Sequence, residues 1–127
     1  MLVVEHDVLM RMPIAQYLRD CGYRVIEAVN AEEAMTVLSH EGTRVEVVFS
    51  GIEMPGVIDG FGLAKWIRQH RPGVDVLLAG TASRALETAE ELCAQGPIAK
   101  PYDAMTVHAH IRRLLAARTA ANPPRGT

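Results

Sequence analysis

The stretch Val45-Glu46-Val47-Val48-Phe49-Ser50-Gly51-Ile52-Glu53-Met54-Pro55-Gly56-Val57-Ile58-Asp59-Gly60 decides the fold. Val45, Val47, Val48 and Phe49 form an apolar, β-branched run, the pattern of a strand buried on both faces of a parallel sheet. Ser50-Gly51 ends that run. Met54-Pro55-Gly56 and Asp59-Gly60 then make a stiff, turn-rich loop, and a helical pattern starts directly after it. A buried strand that stops at a tight loop before a helix marks the carboxyl edge of an open α/β sheet, where ligands of such folds bind.

Working outward, Leu2-Val3-Val4 reads as a first strand ending at Glu5-His6-Asp7. From Val8 to about Cys21, the residues Leu9, Met10, Ile14, Tyr17 and Leu18 recur at helical spacing. Pro13 falls in the first turns, where a missing N–H costs least, and Gly22 closes the helix. Tyr23 to Val29 reads as a second strand. Asn30 and Glu33 form a capping-box-like start for a helix with Ala34, Met35, Val37 and Leu38. Beyond the central stretch a helix is expected over about Phe61–His70, stopped by Arg71-Pro72-Gly73. Val74–Ala79 reads as a fourth strand, Ala85–Ala94 as a helix, Ile98-Ala99 as a strand stub, and Asp103 caps a last helix to about Arg118. Residues 119–127 are expected to form a disordered tail. Five strands alternate with five helices, so right-handed crossovers give a doubly wound sheet with helices on both faces.

With 127 residues, nearly half of them apolar, the chain forms one domain with a substantial core. A net charge of −2 gives no basic footprint for nucleic acid or for a membrane surface. No apolar run reaches transmembrane length, and the first residues are not a signal peptide. A cytoplasmic protein is therefore expected. Cys21 and Cys93 read as buried thiols, with a disulfide the lesser alternative, and no zinc-ligand spacing occurs.

The central stretch resembles the corresponding segment of response-regulator receiver domains: a buried strand, then Met54-Pro55-Gly56, then Asp59-Gly60, with one loop residue more than the commonest form. Lys100-Pro101-Tyr102-Asp103 matches a second motif of that family. The likeness covers the chain except its tail. It implies an α/β fold with a single flavodoxin-like, five-stranded parallel sheet in order 2-1-3-4-5 over residues 1–118. It also implies a role in two-component phosphorelay signalling in bacteria.

Receivers take a phosphoryl group from a phosphohistidine onto an aspartate. That chemistry needs the carboxylate nucleophile, Mg²⁺ held by oxygen ligands, and a lysine against the phosphoryl oxygens. By the resemblance, Glu5 matches the first acid of the metal pair. His6 stands where the second belongs, and imidazole is a poor Mg²⁺ ligand. Gly51 occupies the acceptor position, and Gly80 the position of the hydroxyl residue, with Thr81 beside it. Lys100 matches the lysine, and Pro97 stands where many receivers carry a switch aromatic.

The resemblance thus implies a stand-alone pseudo-receiver that is not an enzyme. It is expected to act through protein contacts, with a histidine kinase or another signalling protein. A homodimer through the face of the fourth helix, fifth strand and fifth helix is also open. No cofactor is expected, with Glu5 and Asp7 weak candidates for Mg²⁺. Glu53 is a candidate substitute acceptor or metal ligand, a solvated loop acid being the simpler reading. Ser50 should turn away from the site by strand alternation, while His6 and Lys100 are expected to neutralise the nearby carboxylates. A rival of another class is a small flavodoxin-like nucleotide- or flavin-binding protein, against which no glycine-rich phosphate loop follows the first strand.

Overall fold

The computed structural model describes residues 1–40, 42–80, 98–100 and 102–121, with side chains through Arg118. The elements run β1 (Leu2–Val4), α1 (Val8–Asp20), β2 (Ile26–Ala28), α2 (Ala31–Ser39), β3 (Val47–Gly51), α3 (Gly60–His70), β4 (Asp75–Gly80), β5 (Ile98–Ala99) and α4 (Ala104–Ala121). Four helices are present among the described residues. The helix expected over Ala85–Ala94 lies outside them, as do Cys93, Pro97 and Thr81.

The strands form one parallel sheet in the order β2-β1-β3-β4-β5. Strand alternation sorts the core into two layers. Leu2, Val4, Val48, Val76 and Leu78 point to one face, where they meet Ala34 and Leu38 of α2 and Leu63 and Ile67 of α3. Val3, Val47, Phe49, Leu77 and Ala79 point to the other, against Ile14 and Leu18 of α1 and Val107, Ile111 and Leu114 of α4. All five residues of β3 are buried, as its apolar run requires.

Helix starts follow local chemistry. Asp7 accepts from Leu9 N, Asn30 from Glu33 N, and Asp59 from Gly62 N, each satisfying a backbone donor with no intrahelical partner. At the end of α1, Cys21 is the C-cap and Gly22 adopts φ +101°, a left-handed turn that glycine makes without strain. This position corrects the reading of Cys21 as a buried thiol. The helix ends at Asp20, so the apolar stripe no longer governs residue 21, and the side chain is exposed with Sγ 3.6 Å from His108 Nδ1.

β2 is shorter than the expected Tyr23–Val29. Its partner β1 has three residues, and the register Leu2↔Ile26 to Val4↔Ala28 exhausts them. α4 is helical three residues past Arg118, through Thr119 and two alanines that favour helix, so the start of the expected disordered tail is helical.

Candidate functional site

Five segments meet at the carboxyl edge of β1, β3 and β4. β1 delivers Glu5, whose N–H donates to Ala28 O. Glu5 is only 3% exposed. Its Oε1 is paired with Lys100 Nζ at 2.5 Å, and its Oε2 lies 3.2 Å from His6 Nδ1. Both carboxylate oxygens are thus held by nitrogen-bearing side chains, one from the neighbouring residue and one from a segment 95 residues away. Arg11 of α1 steadies the loop from behind: its Nη1 donates to Glu5 O at 2.9 Å while its Nε faces Glu27 of β2.

Gly51 ends β3 beside this pair. A Cβ built there would lie 3.3 Å from Lys100 Nζ and 3.4 Å from Glu5 Oε2. Both neighbours are side-chain termini, so a Cβ fits there with small adjustments. Gly80, at the end of β4, differs. A Cβ there would meet Ile52 Cδ1 at 2.7 Å and Glu53 Oε1 at 3.2 Å. The space that a hydroxyl residue would use is filled by the buried Ile52 side chain and by the Glu53 carboxylate. Glu53 is exposed yet reaches this edge.

The remaining expected residues fall into place around the pocket. Asp7 does not aim at it, because its Oδ1 caps α1 at Leu9 N, 2.9 Å away. Ser50 is fully buried and donates to Gly51 O, so it packs and does not reach the site. Thr81 lies outside the described residues. Tyr102, behind Lys100, packs edge-on against Phe49 with ring centroids 5.3 Å apart.

Burial, with the carboxylates of Glu5 and Asp7, pushes the Tyr102 hydroxyl from its ordinary 10.0 up to about 12. A folded value above the unfolded one gives stability that is complete below pH 10.0 and lost as pH rises toward about 12. Urea unfolding across that window is expected to show falling stability. Tyr102→Phe should flatten the slope, leaving the smaller part due to Tyr23, whose hydroxyl burial also raises. An unchanged slope in the variant would contradict this assignment.

Besides Arg11, sequence reasoning missed two residues that shape the site. Ile52 fills the Gly80 gap, and no spacing rule announces which neighbour fills a glycine's vacancy. Gly60 brings α3 against β3: its N–H donates to Ile52 O at 2.9 Å, and a Cβ there would collide with Gly51 O. The Asp59-Gly60 pair was visible, but as a turn, not as a close contact.

The response regulator receiver domain model matches residues 1–112. The chain belongs to that family. Relatives of this receiver domain include a probable transcriptional regulator ycf27 of Cyanophora paradoxa, 30% identical over 99% of this chain and 51% of the relative. Another is the response regulator protein FleR of Pseudomonas aeruginosa, 35% identical over 81% of this chain and 22% of the relative. The chain thus spans about half the length of the first and about a fifth of the second. Among solved structures, a CheY-like receiver domain protein from Methanospirillum hungatei JF-1 superposes with a TM-score of 0.84 at 20% identity, covering 95% of this chain and 96% of that one. That likeness shows the shared fold.

Receiver domains are signalling domains that meet histidine kinases and other proteins, and they can bind Mg²⁺ at the phosphorylation site. The donors present here do not fit that ion. One carboxylate, Glu5, points inward and is engaged by Lys100 and His6; Asp7 is engaged as a cap; Gly51 offers no side chain. Among the described residues no three His, Cys, Asp or Glu side chains are placed to hold a metal. Nor is any described helix long and apolar enough to cross a membrane.

Proposed function

We propose that this receiver domain signals through protein contacts, without taking a phosphoryl group at the usual position. The observation that carries the reading is Gly51 at the end of β3, facing a buried Glu5 already paired with Lys100. In a phosphorylatable receiver that lysine serves the phosphoryl oxygens and the acid serves the metal. Here each serves the other, and His6 takes the second oxygen. The pocket is charge-balanced by its own side chains, and it works as a signalling module, not as an enzyme. Apolar side chains on the same edge support a protein partner: Leu9 is 82% exposed, Met12 58% and Met105 72%, all in the first turns of helices that begin there.

A second reading keeps phosphate chemistry on Glu53, whose Oε1 reaches the edge of β4 near Gly80. Incubation with acetyl phosphate, Mg²⁺ present, followed by intact mass measurement separates the two. The parent protein is expected to gain no phosphoryl mass, while Gly51→Asp gains it. Phosphorylation of the parent, abolished in Glu53→Gln, would replace the first reading by the second.

A further inference from the structure

The opposite, amino-terminal edge of the sheet carries an open cleft of about 820 Å³. Its walls come from the segment before β3 (Thr43, Arg44, Glu46), the end of α3 (His70, Arg71) and Arg118 of α4. Arg118 is fixed, its Nη1 donating to Gly73 O at 2.6 Å and to Asp75 Oδ2 at 3.1 Å. His70 is held through Nδ1 on Trp66 O, with its ring stacked on Trp66 at 4.7 Å. Among the described residues, neither the Arg44 nor the Arg71 guanidinium has a hydrogen-bond or ion-pair partner, although Arg71 is half-buried. Three arginines therefore face two carboxylates, Glu46 on the wall and Asp75 behind Arg118.

Unpaired guanidiniums in a concave polar site favour a phosphate-bearing anion, because the planar fork offers paired charge-assisted donors. The cleft does not end there. Arg44 and Glu46 also line an adjoining recess of about 150 Å³ whose other walls include Tyr23, Val47 and Leu115. An aromatic ring and two aliphatic side chains beside an arginine cleft suit a flat, weakly polar group linked to phosphates.

We infer that this edge binds a nucleoside polyphosphate, with its phosphates against Arg44 and Arg71 and its base in the Tyr23–Leu115 recess. The site is separate from the Gly51 pocket, which lies across the full length of the strands, and it does not depend on the function proposed above.

An amide NMR titration of the full chain with Mg²⁺-free ATP, and separately with inorganic triphosphate, tests this at near-physiological ionic strength. ATP is expected to give saturable shifts in the segments around Arg44, Arg71 and Arg118 and at Tyr23 and Leu115. Triphosphate should bind more weakly and leave Tyr23 and Leu115 still. Arg71→Gln and Arg44→Gln should each weaken ATP binding about tenfold or more, the loss of one charge-assisted contact, whereas Arg113→Gln, outside the cleft, should change nothing. Both substituted side chains are unpartnered among the described residues, so the variants should keep the parent's amide dispersion. Absence of saturable shifts, shifts centred on Gly51, or unaltered binding by Arg71→Gln would overturn the site. Equal binding of triphosphate and ATP would overturn the nucleoside assignment.

Discussion

Lys100→Met is expected to destabilise the domain by about 3 kcal/mol, at the lower end of what removing one partner of a buried ion pair costs. The side chains of Glu5 and Lys100 are 4% and 10% exposed, so water cannot replace the lost ammonium. His6 still touches Glu5 Oε2, which is why the upper end of that range is not expected. The direct comparison is the double variant Glu5→Gln with Lys100→Met, which leaves no unpaired buried charge and should recover much of the loss. Denaturant unfolding of the parent, both singles and the double gives the coupling between the two positions. Equal stability of parent and Lys100→Met would mean that the pair does not hold the pocket together.

Gly60→Ala is expected to cost about 3 kcal/mol or more, because an added methyl group in a packed site with no room is destabilising. The new Cβ would collide with Gly51 O and come 2.7 Å from Ile52 Cα. Both are backbone atoms, so neither can swing aside as a flexible side-chain end would. Relief requires α3 to move off β3, which stretches the Gly60 N–Ile52 O bond and disturbs the loop that shapes the site. Gly73→Ala is the control. Nothing lies within 4 Å of a Cβ there, so it should be neutral or slightly stabilising through the unfolded chain. Matching losses in the two variants would show that the close approach at Gly60 is not the cause.

The sheet was legible where burial writes itself as an apolar run. Val47–Gly51 and Asp75–Gly80 agree with the expected third and fourth strands to within two residues at any end, since strands covered on both faces need apolar residues throughout. The caps Asn30 and Asp103 were also legible, because a short polar side chain before an apolar-periodic stretch has one favoured use, whereas Asp59, read as a turn residue, also caps α3. Strand order was not legible from alternation, which any doubly wound fold shares; it rested on the family likeness. β2 was overread because pairing length is set by its partner β1, not by its own composition. At the site, the sequence located Gly51, Glu5 and Lys100. The contact of Ile52 and Glu53 with the Gly80 position, and the grip of Arg11 on the Glu5 carbonyl, depend on side-chain directions that spacing does not encode.

An amide NMR titration with Mg²⁺ and then beryllofluoride, on the parent and on Gly51→Asp, tests most directly whether the pocket is intact but lacks its acceptor. Glu5 and Lys100 lie 3.4 and 3.3 Å from the position of a Cβ at residue 51, so an aspartate there should form a working anion partner for Lys100. The account predicts silence from the parent and saturable shifts around Glu5 and Lys100 in the variant. Saturable shifts in the parent at the same residues would contradict it, since they would show that an ion site assembles without a carboxylate at position 51.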